Sequence, residues 1–232
     1  MFLEPLKSTL KRFCIVVIFS VAFAYIESAV VVYLRAIFHP AGFTFPLLGF
    51  GIGPFGGRLM FTEIGREAAT IVLIFTSAWL FGQSLQQRLA YFLVVFAVWD
   101  IFYYVWLKVL IGWPASIMDW DILFLIPVAW ASPVLTPLII SVTLLLFAVI
   151  MLYFCSYGRR LKVTLIDRLA LMLATSVVVV SLCIAGRYIT KPDFQSHFYW
   201  PVFAAGYLLG IVVFLKCLLR SKYSAGIQKT GL

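Results

Sequence analysis

LMFTEIGREAATIVLIFTSAWLF, Leu59–Phe81, decides the fold. It is long enough to cross a bilayer core, which takes about 20 apolar residues in a helix. Its second half, Ala68–Phe81, carries no charge, while its first half carries Glu63, Arg66 and Glu67. With Thr70 these residues follow the i, i+3, i+4, i+7 pattern, so the helix presents one polar stripe. An ionisable side chain at membrane depth costs a few kcal/mol, so it normally faces a cavity or a partner.

Similar runs recur on both sides of this one, and six spans are predicted: Phe13–Ile37, Leu59–Phe81, Leu89–Ile111, a fourth ending near Tyr157, Leu165–Arg187 and Phe198–Leu219. The chain is 64% hydrophobic and 12% charged, with a mean hydropathy of +1.07, which is more apolar surface than a soluble domain can bury. The expected fold is therefore an all-α, polytopic transmembrane bundle. Residues 1–12 form an N-terminal tail, 13–219 a single membrane domain and 220–232 a C-terminal tail. Lys7, Lys11 and Arg12 precede a run that is too long for a signal peptide and holds Glu27, so it reads as an uncleaved first helix.

The fourth span is irregular. Ile122–Tyr157 exceeds one straight crossing, and Pro127, Pro133 and Pro137 fall in its first half. Proline removes a helical hydrogen bond, so the approach to this span is expected to be kinked or broken into an interfacial or re-entrant piece. The loop Pro40–Gly57 is apolar and glycine-rich and is expected to dip into the interface; no Lys-Ser or Lys-Thr follows to make it a phosphate loop.

Basic residues set the orientation. Lys7, Lys11, Arg12, Arg88, Arg159, Arg160, Lys162, Arg168, Lys216, Arg220, Lys222 and Lys229 fall on one side of an even number of spans. The positive-inside rule makes that side cytoplasmic and places both termini there, with a bacterial plasma membrane as the expected location. The net charge of +9 then reflects orientation and anionic lipid, and nucleic acid is excluded as a partner.

Helix rise converts sequence into depth. Glu27, Glu67 and Asp100 lie roughly 15, 12 and 16 Å below the outer ends of their helices, so three acids share one level. Glu63, Arg66, Arg35 and Lys108 lie above them, and Asp119, Asp121, Arg187, Lys191, His39 and His197 ring the outer mouth. Asp100, Tyr104 and Lys108 make a second stripe, and Glu27 with Arg35 a third. The three stripes are expected to surround an outward-opening polar cavity. In it Glu67, Asp100 and Glu27 are the candidate catalytic acids or bases. Arg66, Glu63, Tyr104, Lys108, Trp99 and Arg35 are the candidate binding residues. Trp99 adjoins Asp100 in the run WDIFYY, Trp99–Tyr104, where aromatic faces suit an isoprenoid or a cation. The plainer alternative is an ion-pair network that only fixes helix packing. Trp106, Trp113, Trp120 and Trp200, with Trp79 at the other side, fit an aromatic belt.

Other chemistry lacks its residues. Cys14, Cys155, Cys183 and Cys217 are isolated and fit no metal or disulfide spacing. No histidine lies at membrane depth for haem, and an all-carboxylate set would suit Mg, Mn or Ca better than Zn; no metal ligands are assigned. Glu63-x-x-Arg66-Glu67 resembles the glutamate–arginine motif of CAAX-type intramembrane proteases, but that family's paired glutamates and intramembrane histidines are missing. Three functions remain open: an enzyme or binder acting on a membrane lipid or isoprenoid, a small proton- or cation-coupled transporter, and an accessory subunit docked to a partner membrane protein. Which cofactor serves any of them is unknown.

Overall fold

A computed structural model describes residues 3–40, 42–47 and 56–230. Half of the Pro40–Gly57 loop, and with it the expected dip into the interface, lies outside the described residues. Six helices are long and apolar enough to cross a membrane. They are α1 (Leu3–Phe38), α2 (Arg58–Phe81), α3 (Leu85–Ile111), α4 (Leu135–Ser156), α5 (Leu165–Gly186) and α6 (Trp200–Thr230). The chain is a multi-pass, membrane-type helical bundle. The apolar runs end where expected, but α1 begins at Leu3 and α6 continues to Thr230, so the basic flanks are helical as well.

Local chemistry marks the ends. Ser84 caps α3 by accepting the Gln87 N–H, and Gly112 closes it in the left-handed region, at φ 70°. Thr164 and Asp167 form a reciprocal capping box at the start of α5. The buried Asp167 also pairs with Arg220, fastening α5 to α6. Close by, Ser221 accepts the Lys162 N–H and Gln86 accepts the Leu161 N–H, so the α4–α5 link is held to α6 and α3.

α3 is the central helix, packed on α1, α2 and α4, while α5 packs on α6. Gly206 makes the second pairing close, since a Cβ there would come within 2.9 Å of the Ala174 carbonyl oxygen. α4 and α6 meet through long side chains: Phe147 stacks on Phe214 at 3.7 Å, and the Thr143 and Tyr207 hydroxyls lie 2.6 Å apart. A tall cleft is left between α2–α3–α4 and α5–α6.

The approach to α4 is not a helix fragment. Trp120–Phe124 (β1) and Trp130–Pro133 (β2) pair as an antiparallel hairpin with a bulge between Ile122 and Phe124. Pro127 sits in its turn and Pro133 at the end of its second strand, where a missing N–H disturbs the ladder least. A two-stranded hairpin is barely stable alone, and this one is wedged onto α5. Gly186 is where they touch: a Cβ there would lie 1.7 Å from the Ala129 carbonyl oxygen.

Candidate functional site

Arg66 and its partners show how the charges are arranged. Its Nε and one terminal nitrogen reach Glu63 Oε2 at 3.0 and 2.9 Å, and its other terminal nitrogen pairs with Glu27 Oε2 on α1. The Thr70 hydroxyl donates to the second oxygen of Glu27 at 2.8 Å. The i, i+3, i+4, i+7 stripe thus turns toward α1, and each guanidinium nitrogen has a carboxylate partner. Arg66 positions two carboxylates, and with its side chain 24% exposed it still borders the cavity described below.

Two acids stand outside that network. Glu67 Oε2 accepts the backbone N–H of Leu125, from the turn of the hairpin, at 2.8 Å. Asp100 Oδ2 accepts the Ser141 hydroxyl of α4 at 2.7 Å. Among the described residues neither has a cation within 4.0 Å. Each keeps one oxygen without a partner among the described residues.

Beyond them, toward the end of α1, lies a second buried ion pair. Arg35 reaches Asp121 Oδ1 at 3.1 Å, joining the end of α1 to the hairpin. The guanidinium is sandwiched between the rings of Trp113, at 3.7 Å, and Phe43, at 4.1 Å. Asp121 is 2% exposed, and burial raises its pKa to about 6 against the pull of Arg35. Nearby, burial and the charge of Arg35 lower the pKa of His39.

These side chains line one cavity of about 1520 Å³. Glu27, Arg35, Glu63, Arg66, Glu67, Trp99, Asp100 and Tyr104 all border it, so eight of the nine expected residues are brought together. Lys108 is not among them. Its ammonium bonds the carbonyls of Gly112 and Pro114 at 3.1 and 2.8 Å, capping its own helix. The reason is angular: eight residues at about 100° each leave Lys108 about 80° around the helix from Asp100. The same drift separates Glu27 from Arg35, which take different partners.

Below Asp100 the cavity becomes apolar. Leu93, Phe96, Leu144, Phe147, Val178 and Ile211 are among its walls, and it continues down to Gln83–Gln86, Arg160 and Arg168 at the other end of the bundle. A polar chamber therefore tops a long apolar cleft. The sequence reading missed Asp121, placed at the solvated outer mouth, and Ser141, on a span with no charge to draw attention to it. The Leu125 N–H has no side-chain signature at all. Among the described residues no group of three His, Cys, Asp or Glu is arranged to hold a metal ion, and the cysteines are free.

No family model, curated protein or solved structure matches the chain. The site is therefore read from its own geometry.

Proposed function

We propose that the protein is a membrane-embedded enzyme or binder that takes a lipid or isoprenoid into the cleft, with its polar head among Glu67, Asp100 and Trp99 and its chain along the apolar wall. The observation that carries this reading is the division of one cavity into a polar chamber and an apolar shaft, which matches the two halves of an amphiphile. Glu67 and Asp100 are the groups suited to give or take a proton. Among the described residues each is held by one hydrogen bond, lacks a cation and keeps an oxygen free. Glu27, Glu63 and Arg66 form the frame that fixes the chamber's wall.

The positive-inside asymmetry supports termini, with tails 1–12 and 220–232, on the cytoplasmic side of a bacterial plasma membrane. In that orientation the chamber lies toward the outer face and β1–β2 is a re-entrant hairpin whose turn meets Glu67. Ion transport fits less well, because between Asp100 and Gln86 the walls of the cavity are mostly apolar. A docking role for the charges fits less well too, since Arg66 and Arg35 already have partners within the chain.

The test is extraction and mass spectrometry of small molecules from the purified wild type, Glu67→Gln and Asp100→Asn. Both variants are nearly isosteric and break no ion pair, so both are expected to fold. The reading expects a specific lipid or isoprenoid with the wild type and its depletion from both variants. Wild type carrying only bulk lipid plus a stoichiometric partner protein would overturn it in favour of an accessory subunit.

A further inference from the structure

The chamber carries an imbalance of hydrogen-bonding groups that narrows the head it can take. Trp99 is 7% exposed and borders the cavity beside Asp100, yet among the described residues its buried indole N–H has no acceptor. Trp130, on the hairpin, borders the same cavity, and its buried indole N–H is also unpartnered. A buried donor without an acceptor costs about 1–3 kcal/mol. Arg35 Nη1 and Gln86 Nε2, bordering the same cavity, are also buried donors without a partner, against one such acceptor, Asp121 Oδ2, so among the described residues the unmet need is mainly for acceptor atoms.

The charges narrow the choice further. Glu27, Glu63, Glu67, Asp100 and Asp121 border the cavity's polar end, and the two guanidinium groups there, Arg35 and Arg66, are ion-paired. An anionic head such as a phosphate would meet more carboxylates than guanidinium groups, and both guanidinium groups are already ion-paired. The buried donors favour a head rich in acceptor oxygens, which an ammonium lacks, and an uncharged head of that kind avoids the repulsion an anion would meet. The rings of Phe96, Trp99, Tyr103 and Tyr104 along the wall suit a flat head. Below it, the apolar shaft from Asp100 to Leu85 is about 22 Å long at helical rise, enough for a chain of several isoprene units.

We infer that the chamber binds a quinone-type head, a neutral ring whose carbonyl oxygens accept from the Trp99 and Trp130 indole N–H groups, on an isoprenoid tail lying in the cleft. The inference rests on the reading of the cavity as an amphiphile site and adds the class of head. It concerns binding, and no electron transfer is assigned. When protonated, the carboxyls of Glu67 and Asp100 can donate to the same oxygens.

The test is isothermal titration of the full-length protein in detergent with three probes: a decyl-tailed benzoquinone, farnesol and farnesyl phosphate. The quinone should saturate at one per chain and bind at least tenfold more tightly than farnesol, with farnesyl phosphate weakest. Trp99→Phe and Trp130→Phe should each weaken quinone binding about three- to tenfold, the effect of losing one hydrogen bond, with little change for farnesol. Farnesol binding as tightly as the quinone would overturn the inference while supporting the amphiphile site. Tightest binding of farnesyl phosphate would overturn the neutral head. No saturable binding of any probe would overturn both readings. Should Trp99→Phe fail to fold, Trp130→Phe and the order of the three probes decide the matter.

Discussion

Arg66 on α2 is ion-paired with Glu27 on α1, and the same guanidinium holds Glu63 one turn away on its own helix. Residues 39 apart in sequence thus share one charge network. The guanidinium thus ties α1 to α2, and the neighbouring Glu67 and Asp100 are not ion-paired with it.

Removing the cation alone should be severe. Arg66→Ala leaves Glu27 and Glu63 buried with nothing to offset them and should destabilise the protein by roughly 3–5 kcal/mol. The double variant Glu27→Leu with Arg66→Met should recover part of that loss, because it removes the unpaired Glu27 charge and leaves Glu63 alone uncompensated. Reversible unfolding in mixed detergent micelles measures both. Equal loss in the single and double variants would contradict the pairing.

Asp121 gives a pH dependence whose sign is fixed. Its carboxyl has a folded pKa of about 6 against an ordinary value of 3.8. The folded state therefore binds the proton more tightly than the unfolded state. Stability should fall as pH rises from about 4 to about 6 and should level off above that. Asp121→Asn should remove this slope, which unfolding curves at a series of pH values will show.

Gly186 is a steric prediction. The Cβ of Gly186→Ala would overlap the Ala129 carbonyl, which is backbone and cannot rotate aside. The hairpin must move off α5, at a cost of about 1–3 kcal/mol or more. The Leu125 N–H would then leave Glu67, so ligand retention should fall along with stability. Thermal unfolding and small-molecule retention of this variant check both.

How much of this was legible in the sequence depends on the kind of signal. Apolar run length located the six helices, because length and composition are what a bilayer selects. Helical spacing located the Glu63–Arg66–Glu67–Thr70 stripe, and common depth brought it to Glu27 and Asp100. Residues 120–133 were not legible, because three prolines in an apolar run signal a broken helix without saying what replaces it. The antiparallel pairing depends on contacts with α5. Asp121 looked solvated by its distance from the apolar runs, and only the hairpin fold buries it on Arg35. Lys108 was placed in the stripe by counting in fours, which ignores about 40° of drift at each step.

Orientation has a direct check. In a cysteine-free background, Gln195→Cys, in the exposed short helix Phe194–His197, should react with an impermeant thiol reagent added outside intact cells. Arg159→Cys, in the exposed α4–α5 link, should react only after lysis. The reverse pattern would invert the topology and turn the chamber toward the cytoplasm.

The central claim, that the cleft holds an amphiphile, is tested most directly by photo-crosslinking in native membranes. A benzophenone amino acid would replace Leu144, which borders the cleft, or Leu146, which is 59% exposed on the outside of α4. The account predicts that position 144 captures one lipid or isoprenoid species while position 146 captures the bulk phospholipid mixture. The same mixture at both positions, or a protein at position 144, would contradict it.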